Sequence, residues 1–192
     1  IFCVILFFVK IVLGLCGENG SGKETFVKLL SEIAQGKTIA HIKSSDFLKE
    51  TLDLWDLPST RSNLQNLAII MDNQYGKGSV SKAIYKKMMD SSADIVIFDG
   101  VRWDTDVETI RRFTDSRLIY ITADPKLRYE RLKFRNEKVG EDTTTYLQFL
   151  TEEKAKTEVF INQLAASANF KIENNGSLAQ LKQKVLQFYQ NG

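Results

Sequence analysis

The sequence predicts an α/β fold built as one domain, a parallel sheet covered on both faces by helices. Three observations point to it. Short apolar runs alternate with stretches of helical apolar period along most of the 192 residues. One run, Asp94-Ile95-Val96-Ile97-Phe98-Asp99, is apolar without alternation, as a strand buried on both faces must be. A third run, Ile11 to Cys16, passes directly into Gly17-Glu18-Asn19-Gly20-Ser21-Gly22-Lys23-Glu24-Thr25 and then into an amphipathic helix. Strand, glycine-rich loop and helix in that order form a phosphate cradle.

Taken in order, the elements follow from period and punctuation. Lys10 to Leu15 reads as the first strand, and a helix from about Gly22 to Ala34 carries Phe26, Leu29, Leu30 and Ile33 on one face before Gly36 stops it. Thr38 to Ile42 is a short second strand. Ser44 or Ser45 is placed to cap a helix from Asp46 to Leu54, which Leu57-Pro58 ends. Two further helices, Arg61 to about Gln74 and Val80 to Ser91, make a long helical insert over 57–91, separated by Gly76-Lys77-Gly78. After the strand ending at Asp99, Asp104-Thr105-Asp106 opens a helix to Phe113, and Arg117 to Thr122 is another buried strand. Asp124-Pro125 is a strong helix start, for a helix reaching about Lys138. A polar helical region over Thr145 to Ala168, a last strand from Phe170 to Glu173, the turn Asn174-Asn175-Gly176 and a final helix from Leu178 to Gln190 complete the chain.

Composition excludes several classes of function. Lys and Arg total 26 against 24 Asp and Glu, for a net charge of +2; without a basic block the chain offers nothing to nucleic acid. Cys3 and Cys16 stand in apolar surroundings, not in a CxxC pair, which fits a reducing compartment and hence the cytoplasm. His41 is the sole histidine, so histidine-based zinc sites and catalytic triads lack their ligands. Ile1 to Val9 forms an apolar overhang that lacks the basic flank and cleavage site of a signal peptide and is too short to span a bilayer, so no membrane partner is expected.

The chemistry gathers around phosphate. Gly17, Gly20 and Gly22 let successive N–H groups turn inward around an anion, with Asn19, Ser21 and Thr25 completing the loop and Lys23 reaching the outer phosphates. Where a Ser or Thr hydroxyl usually ligates Mg²⁺, this chain has Glu24, a carboxylate that suits a helix N-terminus and can hold the ion through a water. Asp99, at the end of a buried strand, is the second candidate for the magnesium shell. Arg102 follows in the same loop, within reach of a second phosphate. On the helix after Asp124, Arg128, Arg131 and Arg135 fall within about 60° of one another, beside Leu127, Leu132 and Phe134. They can clamp transferring phosphates, or pair with Glu130 and Glu137 as surface charges.

Gly17 to Thr25, Ser45-Asp46-Phe47, Asp99-Gly100-x-Arg102, Arg128-x-x-Arg131-Leu-x-x-x-Arg135 and Asn174-Asn175-Gly176-Ser177-Leu178 together resemble the P-loop nucleoside monophosphate kinase superfamily, nearest its dephospho-CoA kinase and deoxynucleoside monophosphate kinase branches. The resemblance covers Lys10 to the C-terminus. It implies a three-layer fold with a five-stranded sheet in the order 2-3-1-4-5, a lid over 128–142, and ATP with Mg²⁺ as phosphoryl donor. In catalysis it implies Lys23, Asp46, Asp99, Arg131 and Arg135. In the nucleotide site it implies the loop residues, Glu24 included, with Arg131, Asn175 and Gly176. Arg61, Arg102, Arg128 and Asp46 would hold the small-molecule acceptor. Asp46 would act as a base toward a sugar hydroxyl, bind a deoxyribose hydroxyl, or merely cap its helix. A phosphate acceptor needs no base and a hydroxyl benefits from one; the expected acceptor is a nucleoside or deoxynucleoside monophosphate, with dephospho-CoA as the alternative. A switch or ATPase that transfers phosphate to no acceptor is the reading from a different class.

Overall fold

A computed structural model describes residues 10–135, 144–154 and 160–191. Strands β1 (Ile11–Cys16), β2 (Ile39–Lys43), β3 (Ile95–Val101), β4 (Asp115–Thr122) and β5 (Phe170–Glu173) form one parallel sheet in the order β2-β3-β1-β4-β5. That is the order the resemblance implied. The helices are α1 (Lys23–Ile33), α2 (Ser44–Leu54), α3 (Arg61–Tyr75), α4 (Ser79–Asp90), α5 (Asp104–Ile110), α6 (Pro125–Arg135), α7 (Tyr146–Glu152), α8 (Ile161–Ala166) and α9 (Leu178–Asn191).

Because side chains alternate along a strand, each central strand feeds two cores. Leu13 and Leu15, Ile95 and Ile97, and Ile119 and Ile121 point to one face, where Phe26 and Leu30 of α1 and Leu181, Val185 and Phe188 of α9 cover them. Val12, Val96, Phe98, Leu118 and Tyr120 point to the other, under α2, α3, α4, α5 and α8. The 57–91 segment contributes Leu64, Leu67, Val80, Ile84 and Met88 to this second core. At Gly14 the absence of a side chain lets α5 approach β1: a Cβ there would lie 2.2 Å from Ile110 Cδ1. Lys10 precedes β1 and donates from Nζ to the Met88 and Met89 carbonyls at 2.7 and 3.1 Å, closing the C-terminal end of α4 with a cation that the helix dipole favours.

Three details differ from expectation. Helix α2 begins at Ser44 with Lys43 at its cap position, so neither serine caps it. β3 continues past Asp99 to Val101, because the register against β1 shifts between Leu15 and Cys16 and Gly100 takes φ +97°, a bulge. In the polar helical region expected over Thr145 to Ala168, the described residues form α7 and α8. Phe134, expected beside the apolar edge of α6, is 92% exposed. Residues 1–9 and 136–143, the latter including much of the expected lid, lie outside the described residues. Among those described, no helix is long and apolar enough to cross a membrane.

Ile97 is fully buried at the centre of the sheet. Ile97→Ala is expected to lower the unfolding free energy by about 2–5 kcal/mol in urea titration, and a loss under about 1 kcal/mol would contradict the packing assigned to β3.

Candidate functional site

The carboxyl ends of β1 and β3 open toward the N-terminus of α1, the place where a doubly wound sheet binds ligands. Gly17, Gly20 and Gly22 all have positive φ (+148°, +78° and +100°), a backbone that side chains other than glycine's rarely permit. Their surroundings are equally restrictive. A Cβ would fall 2.0 Å from the Ile121 carbonyl at Gly17, 2.7 Å from that of Arg128 at Gly20, and 2.3 Å from Asn174 Nδ2 at Gly22. The loop is thus wedged between β4, the first turn of α6 and the turn after β5. Asn174, almost fully buried, donates from Nδ2 to the Ser21 carbonyl at 2.9 Å and from its N–H to Thr122 at 2.7 Å. Tyr120 donates its hydroxyl to Glu18 Oε1 at 2.6 Å, and burial followed by this bond pushes the phenol up to about 12. Lys23 donates to the Gly17 and Glu18 carbonyls at 2.9 and 3.1 Å.

A cleft of about 400 Å³ lies in front of this loop, lined by Asn19, Gly20, Gly22, Lys23, Glu24 and Thr25 together with Lys43, Asp99, Arg102 and Arg131. Most of the residues expected to bind nucleotide or metal therefore meet on one surface. Asp99 is buried beside His41, whose Nε2 lies 3.1 Å from Oδ2. Burial alone would push this carboxyl up, but the His41 hydrogen bond and the charges of Lys23 and Lys43 more than offset it, so Asp99 lies below the usual carboxylate range. Arg131 donates from Nη2 to the Asn174 carbonyl at 2.9 Å, and its Nη1 is buried without a protein partner; burial disfavours the charged guanidinium and lowers its pKa from the ordinary value. Ser21 Oγ is likewise buried and unpartnered.

A second cavity of about 110 Å³ adjoins the cleft and shares Asn19, Ser44, Ser45, Gly100 and Arg102 with it. Leu48, Leu64, Ala68, Val80 and Trp103 make it largely apolar, and Arg61 adds a charge at its edge. Arg61 donates to Glu152 at 2.9 Å. The loop carrying Arg102 and Trp103 is fixed from below: both N–H groups donate to Asp106 Oδ2, at 2.8 and 3.0 Å, and Ser81 donates to Oδ1 at 2.6 Å. Burial outweighs these bonds and raises the Asp106 carboxyl above its ordinary value.

Other expected residues lie elsewhere. Arg128 does not face the cleft: it is 4% exposed, donates to the carbonyls of Ala123 at 2.8 Å and Asn19 at 3.4 Å, and forms a two-pronged pair with Glu153. Its long side chain turns under the phosphate loop because α7 supplies the carboxylate there. The Arg135 side chain lies outside the described residues. Asp46 is exposed and lines neither cavity; with α2 starting at Ser44, the serines take the cavity-facing positions. Asn175 and Gly176 border a separate depression of about 550 Å³ at the start of α9, where Asn175 Oδ1 accepts from the Asp124 N–H at 2.8 Å.

Sequence reasoning gave no site role to His41, Lys43 or Asp106, and read Asn174 only as part of the turn motif after the last strand. The β2–β3 register, which sets Lys43 opposite Asp99, would have disclosed the first two, but register is not visible in one sequence. Asp106 carried a signal, its place three residues after Trp103 at a helix start, where an N3 carboxylate turns back to the preceding N–H groups.

This fold and loop define a P-loop kinase architecture, and solved structures bear the same arrangement. The chain superposes on shikimate kinase from Bacteroides thetaiotaomicron with a TM-score of 0.63 at 11% identity, covering 94% of this chain and 98% of that one. Shikimate kinase from Acinetobacter baumannii, solved in complex with shikimate, gives 0.58 at 15% identity over 96% and 95%. In sequence, the chain belongs to the UPF0200 family: it is 31% identical over 174 residues to a UPF0200 protein of Sulfurisphaera tokodaii, covering 91% of this chain and 93% of the relative. A UPF0200 protein of Methanococcus maripaludis is 25% identical over 168 residues, covering 86% and 88%. No family model matches the chain.

The lowered Asp99 carboxyl sets a pH dependence. A group whose native-state value is depressed contributes stability above its unfolded-state value, an ordinary 3.8 here, and loses it as pH falls through the native value. Between about pH 6 and about pH 3, wild-type protein is therefore expected to lose more unfolding free energy than Asp99→Asn. Equal losses in urea titrations at the two pH values would show that His41, Lys23 and Lys43 do not stabilise the carboxylate.

Proposed function

We propose that this chain is an ATP- and Mg²⁺-dependent small-molecule kinase whose acceptor is a nucleoside or deoxynucleoside monophosphate. The observation that carries the reading is the pair of adjoining cavities with a common wall at Asn19, Ser44, Ser45, Gly100 and Arg102. One is lined by the phosphate loop and the other by apolar side chains and Trp103, an arrangement for two substrates meeting end to end.

The residues present fit the donor and its metal. The loop has a shape that a Cβ at Gly17, Gly20 or Gly22 would disrupt, and Ser21 Oγ and Arg131 Nη1, beside it, are buried polar atoms without a protein partner. Glu24 and Asp99 both line the cleft. Among the described residues no three His, Cys, Asp or Glu side chains gather, which suits an ion that keeps most of its waters and its phosphate ligands. Glu24 and Asp99 would hold Mg²⁺ through that water shell, and the ion would supply charge neutralisation at the phosphoryl group. Lys23 and Arg131 donate to phosphate oxygens, and Arg102, at the common wall, reaches the junction of the two cavities. The apolar second cavity receives a flat base against Trp103, with Arg61 for the acceptor's phosphate.

Asp46 bears on the acceptor. It lines neither cavity, so the base expected on α2 toward a sugar hydroxyl is not at either one, and the carboxylates that are, Glu24, Asp99 and Asp106, are engaged with Lys43, His41 and Ser81. A nucleotide phosphate is already ionised and requires none, which favours the monophosphate over dephospho-CoA.

The test is ADP release from ATP and Mg²⁺ with each ribo- and deoxynucleoside monophosphate, with dephospho-CoA, and with no acceptor. Stimulation by a monophosphate is expected. Stimulation by dephospho-CoA alone would overturn the acceptor class, and equal release in every well would make the chain an ATPase. In the same assay Lys23→Ala is expected to cut turnover by about 100-fold or more, with an unchanged circular dichroism spectrum. Full activity in that variant would remove the cleft from the reaction.

A further inference from the structure

The phosphate loop departs from its usual form at Glu24, and the structure shows what accompanies the departure. Lys43, at the last position of β2, forms an ion pair with the Glu24 carboxylate across the mouth of the cleft. Both residues line that cleft. The Lys43 side chain is 26% exposed and that of Glu24 44%, so the pair meets the ligand's space and is not buried beneath it. The sheet register sets Lys43 opposite Asp99. Burial tends to neutralise this ammonium, but the hydrogen bond and charge of Glu24, with Asp46 and Asp99 behind it, hold it in the charged form. Lys23 presents a parallel case, its ammonium turned to the Gly17 and Glu18 carbonyls.

We propose that Lys43 is a second phosphate-binding cation of this site, tethered by Glu24 until a divalent ion takes over that carboxylate. The proposal rests on reading the cleft as a nucleotide site. A hydroxyl at position 24 would meet the metal without holding any cation. A carboxylate binds either an ammonium or the water shell of a divalent ion, but not both at full strength, because each satisfies the same negative charge. When Glu24 turns to the metal's waters, Lys43 loses that partner, and the phosphates held by the loop compete with Asp46 and Asp99 for the ammonium. Glu24 and Lys43 thus couple metal binding to phosphate binding. Metal-free nucleotide meets one cation fewer than the metal complex does.

The coupling is read by calorimetric titration of ATP into the protein in EDTA and in Mg²⁺, with Lys23→Ala as the control for the site. Glu24→Gln frees Lys43 without metal and is expected to tighten binding of metal-free ATP about tenfold, the size of one charge-assisted hydrogen bond. A misfolded variant cannot gain affinity, so this outcome is protected from loss of structure. In the Lys43→Gln/Glu24→Gln double variant the gain is expected to shrink to about twofold or less, since only the general charge change remains. Lys43→Gln alone is expected to weaken binding in Mg²⁺ about tenfold while changing binding in EDTA by less than about threefold. No gain in Glu24→Gln, or a gain that persists at full size in the double variant, overturns the proposal while leaving the nucleotide site intact. If wild-type protein binds ATP in neither condition, or binds it equally well as Lys23→Ala, the nucleotide reading itself falls.

Discussion

Everything at this site depends on how closely other backbone approaches the phosphate loop. The loop takes its shape only because Gly17, Gly20 and Gly22 lack a Cβ, and the space a Cβ would occupy is already taken by the Ile121 carbonyl, the Arg128 carbonyl and the Asn174 amide. These contacts come from β4, α6 and the turn after β5, elements far apart in sequence. The cradle is therefore a property of the finished sheet. In isolation Gly17 to Gly22 would be a flexible segment, and packing against the sheet's carboxyl edge converts its conformational freedom into one preorganised shape.

The same edge sets the electrostatics. Lys23, Lys43, Arg102 and Arg131 face the cleft, with Glu24 and Asp99 interleaved among them. Cations alone would repel one another before any phosphate arrived; acids alone would repel the phosphate. Interleaving gives each ammonium an internal partner of opposite sign, which keeps it charged and oriented. His41 belongs to this balance, since its hydrogen bond helps hold Asp99 ionised.

Much of this was legible in the sequence, and the limits are physical. Uninterrupted apolar runs identify doubly covered strands, and the strand, glycine-loop and helix order identifies the phosphate site, because both are local consequences of backbone geometry. What depends on pairing was not legible. Lys43 reads as an ordinary lysine until the sheet sets it opposite Asp99. Arg128 and Arg131 share a stripe by helical arithmetic yet serve opposite ends of the site, since Glu153 captures one and the Asn174 carbonyl orients the other. Periodicity gives the direction in which a side chain leaves a helix; for an arginine, the partner at the far end decides where it arrives.

That partner also explains how the two cavities are kept in register. Glu152 and Glu153 are adjacent at the end of α7, and they take Arg61 of α3 and Arg128 of α6 respectively. Arg61 borders the second cavity, and Arg128 donates to Asn19 of the phosphate loop, which lines both. A single short helix thus links the wall of one cavity to the loop of the other through two ion pairs. Phe149, one turn earlier on α7, is buried with the Arg128 guanidinium 5.5 Å from its ring centre, so the Arg128 end is desolvated and firm. The Arg61 pair is more exposed, its glutamate side chain at 45%, where water and salt weaken an ion pair. The link is therefore held more firmly at the loop than at the wall of the second cavity, because the pair that meets less water resists separation better.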